Sequence, residues 1–113
     1  MEINERKVGR VRIIRVQGQA TLNTNANLLS QLVCERLEGG ERLFVINLAD
    51  CQRMDSSGLG ELIKTHSEIS KREGVLKLSD VPLRLRGLMI ASNLVQIMEI
   101  LDTEQEAIIS FGD

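Results

Sequence analysis

Residues 43–60 read Leu43-Phe44-Val45-Ile46-Asn47-Leu48-Ala49-Asp50-Cys51-Gln52-Arg53-Met54-Asp55-Ser56-Ser57-Gly58-Leu59-Gly60. The run from Leu43 to Leu48 is apolar and bounded by charged and turn-forming residues, the pattern of a strand covered on both faces and the expected centre of a sheet. Beyond Asp55-Ser56-Ser57-Gly58, Leu59, Leu62, Ile63, His66 and Ile69 recur at helical spacing and the stripe ends before Gly74. A buried strand, a short loop and an amphipathic helix in that order belong to an α/β layer structure.

The rest of the chain extends the same alternation. Toward the N-terminus, Val8 to Val16 is rich in valine and isoleucine and ends at Gly18, so it reads as a strand and a turn, with a shorter extended piece near Ile3 to pair with it. Leu28, Leu29, Leu32, Val33 and Leu37 form one helical stripe that stops at Gly39-Gly40, with Asn23, Thr24 or Asn25 available to cap its start. Toward the C-terminus, Val75 to Leu78 is a second buried strand, and Pro82 suits the first turn of a helix that turns Leu85, Leu88 and Met89 inward. Asn93 can close that helix in a left-handed conformation. Val95 to Leu101 fits strand or helix, and Thr103-x-x-Glu106 resembles a capping box opening a last helix through Phe111. The expectation is one α/β domain over residues 1–113, a mixed sheet of four to five strands covered by about four α-helices.

Composition narrows the function. With 113 residues, 42% hydrophobic and 27% charged, the chain can bury one core, and that core must be aliphatic because there are two phenylalanines and no tryptophan or tyrosine. A net charge of −2 gives little attraction for phosphate backbones or anionic lipid, and the missing aromatics remove base-stacking platforms. The basic stretch Arg6, Lys7, Arg10, Arg12 and Arg15 alternates with hydrophobic residues and reads as a solvated strand. Direct nucleic-acid binding is not expected. Cys34 and Cys51 lie seventeen positions apart without a Cys/His grouping, so no metal, cofactor or disulfide is expected and both read as reduced thiols of a cytoplasmic protein. The start Met1-Glu2-Ile3-Asn4-Glu5 lacks a signal peptide's apolar run, and no run approaches the roughly 18 apolar residues of a membrane span.

Met54-Asp55-Ser56-Ser57-Gly58-Leu59-Gly60 stands where a strand's carboxyl end enters a helix, the edge at which open α/β sheets meet ligands and partners. On spacing alone, Asp55 or a serine caps the helix, and Gly58 and Gly60 permit close packing against a strand or a partner. The segment and its flanks resemble the signature of anti-sigma factor antagonists of the STAS family. That resemblance covers nearly the whole chain: the Gly18 turn, the Leu43 to Leu48 strand, Asp55-Ser56-Ser57-Gly58-Leu59-Gly60, the strand opened by Gly74-Val75, and the closing helix with Glu106-Ala107.

The resemblance implies a STAS-like fold and a phosphate acceptor at Ser57, flanked by Asp55 and Ser56, with Gly58, Leu59, Gly60, Glu61 and Thr21 also at the partner-binding edge. It further implies a partner-switching cycle. The unphosphorylated domain binds an anti-sigma factor that is also a serine kinase and so releases a sigma factor; phosphorylation ends the binding, and a PP2C-type phosphatase restores the serine. Many relatives carry Gly-x-Leu-Asp where this chain reads Gly18-Gln19-Ala20-Thr21, and Thr21 does not supply that acid's charge. The exposed helix face with Glu61, Lys64 and Thr65 is a further expected contact surface. The alternative within the same fold is a STAS scaffold, a subunit of a stress-sensing complex or of a lipid-transport assembly.

Catalysis is not expected. A nucleophile elbow needs G-x-S-x-G, whereas Met54 or Asp55 stands upstream here, and the single histidine, His66, lies nine residues along the same helix from Ser57. That is roughly 13 Å at 1.5 Å per residue, too far for a general base. Gly58-x-Gly60 lacks the third glycine or the Lys-Ser/Thr of a nucleotide loop. Glu104 and Glu106 complement a helix dipole, and Met89 and Met98 read as core fillers.

Overall fold

The computed structural model describes residues 1–20 and 27–112. Strands β1 (Glu2–Val8), β2 (Val11–Ala20), β3 (Leu43–Asn47), β4 (Cys51–Met54), β5 (Val75–Ser79) and β6 (Glu99–Leu101) alternate with helices α1 (Asn27–Glu38), α2 (Ser56–Lys71), α3 (Leu83–Ala91) and α4 (Glu104–Ser110). The sheet runs β1-β2-β3-β5-β6, with β4 joined to the far end of β2. Among the described residues only the β1–β2 hairpin is antiparallel; the other pairings are parallel. The sheet is mixed and α/β as expected, with five strands along its main path and the short β4 beside β2 as a sixth among the described residues.

Strand β3 is central, and apolar side chains on both of its faces are buried. Phe44 and Ile46 join Ile14, Val16, Leu29, Val33, Leu37, Leu62, Ile69, Leu85 and Met89 in the main core under α1, α2 and α3. Val45 joins Val11, Ile13 and Ala107 in a smaller cluster under α4.

Three sequence expectations are corrected at the N-terminal edge. The stretch Val8–Val16 is not one strand: Gly9, with φ +59, turns a tight hairpin, so β1 is a full seven-residue partner rather than a shorter piece. Gly18 does not end its strand; β2 continues to Ala20 through a register shift at Gly18, whose φ of +88 favours glycine. The connection after β3 is not only loop, because β4 pairs Gly18 with Cys51 and Ala20 with Met54.

The basic stretch is neutralised locally. Arg12 grips Glu41 through two hydrogen bonds of 2.8 and 2.6 Å and also reaches Glu5, which pairs with Arg36. Arg6 pairs with Glu104, Lys7 with Glu41 and Arg15 with Asp50. The hydrogen bonds from Arg36 hold the Glu5 carboxyl below its ordinary range, and those from Arg12 do the same for Glu41.

Downstream, Pro82 is the N-cap of α3, one position before the helix, because its extended ψ of 149° stands outside the helical turn. Asn93 adopts the expected left-handed conformation, with φ 60°. Residues 94–96 form a 3-10 turn and 99–101 the edge strand, so the ambiguous segment contains both kinds of structure. The Thr103 hydroxyl accepts the Glu106 amide hydrogen at 3.1 Å, capping α4.

Candidate functional site

Strand β4 delivers the chain to Asp55, whose extended backbone places its carboxylate under the first turn of α2. Asp55 Oδ1 accepts the amide hydrogens of Ser57 at 2.9 Å and Gly58 at 3.2 Å. The capping task left open between an acid and two serines therefore falls to Asp55, and neither hydroxyl is consumed by it. Ser56 is exposed and Ser57 half-buried.

The two glycines differ. Gly58 is buried, and a Cβ there would overlap the Ala20 carbonyl oxygen and stand 2.8 Å from Met54 Cγ. The absent side chain lets α2 press onto the end of β2, where the Asp55 amide donates to Ala20 O at 3.3 Å. Gly60 is exposed with nothing within 4 Å of the position of its Cβ, so intramolecular packing gives no reason for glycine. Leu59 is 6% exposed and anchors the turn in the core.

Glu61 and Thr65 do not face solvent. Glu61 is 7% exposed and its Oε2 accepts the Ser30 amide hydrogen of α1 at 3.0 Å, while Thr65 is fully buried and donates to Glu61 O at 2.8 Å. Each polar group has a partner, which removes most of the cost of burying it. The outward face of α2 instead presents Ser56, Gly60, Lys64 and Ile63, the last 41% exposed. Thr21, together with the candidate caps Asn23, Thr24 and Asn25, lies outside the described residues.

Two neighbours carried no sequence signal. Arg84 donates to the carbonyls of Gln52 and Cys51 at 2.9 and 2.7 Å, bracing the start of α3 against the strand that leads into the site. Leu83 beside it is 87% exposed. Cys51 is fully buried; burial pushes its thiol above the ordinary range, against the smaller opposing pull of hydrogen bonding with the Arg53 backbone. It is a core residue rather than a nucleophile. His66 is turned toward Ser70, with Nε2 3.5 Å from its hydroxyl. Among the described residues no group of three or more His, Cys, Asp or Glu could hold a metal, and no helix is long and apolar enough to cross a membrane.

The fold and the capped serine turn together define a small α/β domain with a mixed sheet and a helix opened by Asp55. Residues 2–107 match the model of the STAS domain, and the chain belongs to the STAS domain family. A curated relative, the anti-sigma F factor antagonist of Paenibacillus polymyxa, is 30% identical over 105 residues, spanning 87% of this chain and 84% of its own. The crystal structure of TM1081, a candidate anti-sigma factor antagonist of Thermotoga maritima, superposes with a TM-score of 0.88 at 25% identity, covering 96% of this chain and 92% of that one. The Bacillus cell fate determinant SpoIIAA in its phosphorylated form shares the fold, with a TM-score of 0.74 at 23% identity over 97% of this chain and 99% of that one. STAS anti-sigma factor antagonists are binding proteins and not enzymes.

Proposed function

We propose that this domain is an anti-sigma factor antagonist that works in the cytoplasm by partner switching at Ser57. The unphosphorylated form binds an anti-sigma factor with serine kinase activity and releases a sigma factor; phosphorylation of Ser57 ends that binding, and a PP2C-type phosphatase restores it. The observation that carries this reading is that Asp55 alone caps α2, which leaves the half-buried Ser57 hydroxyl outside the capping hydrogen bonds. Asp55, Ser56 and Gly60 border it on the surface, and Gly58 and Leu59 hold the turn in place. The name of the Paenibacillus relative and the phosphorylated state of SpoIIAA support the same reading.

Phosphate adds about −1.5 to −2 charges at this point. The positive end of the α2 dipole offsets part of it, on the order of 0.3–1 kcal/mol, so the domain itself stays folded. A partner surface packed around a neutral hydroxyl has no such offset. Every 1.4 kcal/mol of desolvation and repulsion there weakens binding about tenfold.

The test is incubation with the serine kinase anti-sigma factor and ATP, followed by mapping of the phosphate. Ser57→Ala is expected to take up no phosphate and keep its affinity, and Ser57→Asp to lose it. Phosphate on another residue, or equal binding by the two variants, would refute the proposal.

A further inference from the structure

We infer that Glu61 is a positioning residue that carries the charge state of Ser57 to the start of α1. This rests on the reading of Ser57 as the modified residue. Ser57 and Glu61 are four residues apart on α2, so their side chains share one strip of the helix with Cβ atoms about 5–6 Å apart. One turn below the switch there is thus a second acid, and it is buried.

The surroundings of Glu61 make it sensitive. Its side chain sits in a small crevice with Ala20, Leu29, Met54, Gly58 and Leu62, where its Oε2 accepts the Ser30 amide hydrogen in the first turn of α1. Among the described residues no lysine or arginine pairs with it. Among the described residues the carboxyl is compensated by the hydrogen bond from the Ser30 amide and by the positive end of the α1 dipole. A phosphate on Ser57 sets a further −1.5 to −2 charges one turn away. Like charges at this spacing repel even on an exposed helix, and partial burial strengthens the effect.

The repulsion has one outlet among the described contacts. Glu61 must loosen its hold on Ser30, which weakens the seam between the first turn of α1 and the second turn of α2. Phosphorylation thereby alters a second helix, and a docking protein meets a changed surface wider than the modified side chain. A glutamine at position 61 would keep the hydrogen bond to Ser30 and remove the repulsion.

The experiment is amide hydrogen exchange by NMR on the full chain, comparing wild type, Ser57→Asp, Ser57→Asn, Glu61→Gln and the double variant Ser57→Asp with Glu61→Gln. Ser57→Asp is expected to speed exchange at the Ser30 amide about tenfold while amides of β3 stay unchanged, and Ser57→Asn to leave it within about twofold of wild type. In the Glu61→Gln background the same aspartate should have an effect under about twofold. Equal acceleration by aspartate and asparagine, equal effects in both backgrounds, or no acceleration at all would overturn the inference. Should Glu61→Gln fail to fold, the aspartate and asparagine comparison still decides it. The charge is installed without a kinase, so coupling in a protein that no kinase modifies would refute the switch and spare this inference, whereas a working switch with a silent Ser30 amide would do the reverse.

Discussion

Replacing Gly58 and Gly60 by alanine, one at a time, puts the same methyl group on the same helix with opposite expected results. Each change gains about 0.5–1 kcal/mol from the lower backbone entropy that alanine loses on entering a helix. At Gly60 nothing lies within 4 Å of the new carbon, so the gain is kept and the variant should be more stable than wild type. At Gly58 the new carbon overlaps the Ala20 carbonyl oxygen, stands 2.8 Å from Met54 Cγ and 3.0 Å from Ala20 Cβ. The Met54 side chain can swing aside, but Ala20 O belongs to the sheet and also accepts the Asp55 amide. The start of α2 has to lift, at a cost of about 1–3 kcal/mol as in other overpacked sites. The two variants should then differ by about 2 kcal/mol, or roughly 8 °C in Tm for a domain of this size. Urea and thermal unfolding followed by far-UV circular dichroism measure the difference directly. Equal shifts for the two variants would refute the claim that α2 is seated by backbone contact at Gly58. If the anti-sigma factor docks over this turn, as the proposed function has it, Gly60→Ala should also bind that partner more weakly despite its higher stability, because the methyl group would stand in the open space beside Gly60.

The caps and the surface ion pairs give further expectations. Asp55→Ala should cost about 1 kcal/mol of stability and Asp55→Asn much less, since asparagine also caps; chemical denaturation distinguishes them. Thr103→Ala should lose a similar amount by removing the cap of α4. Glu5 and Glu41 have folded pKa values below their unfolded values, so their stabilisation is present above about pH 4.5 and drains away as pH falls through the lowered folded values. Unfolding free energy measured from pH 7 to pH 3 should show this acid limb, and Glu41→Gln should flatten it while costing about 1 kcal/mol at pH 7.

The elements legible in the sequence are those whose side chains meet one apolar environment. Leu43–Asn47 is central and packed on both faces, and Leu29, Val33 and Leu37 form the buried stripe expected of α1. Strand β4 was not legible, because Gln52 and Arg53 are exposed and its pairing depends on the bulge at Gly18. The hairpin at Gly9-Arg10 was hidden inside a valine- and isoleucine-rich run, where a single glycine makes the turn. On α2 the hydropathy stripe predicted Ile63 inside and Glu61 and Thr65 outside. Packing against α1 reverses that order, because Glu61 finds the Ser30 amide and Thr65 bonds to its own helix, and hydropathy carries no information about such partners. At the serine turn, residue types alone left the cap open among three side chains, and only the backbone conformation of Asp55 assigns it.

The affinity of the purified domain for its anti-sigma factor, measured by calorimetry before and after stoichiometric phosphorylation at Ser57, bears most directly on the central claim. A loss of a hundredfold or more, reversed when a phosphatase removes the phosphate, is the expected result. An affinity unchanged by the phosphate would show that the start of α2 is a structural helix cap and not a switch.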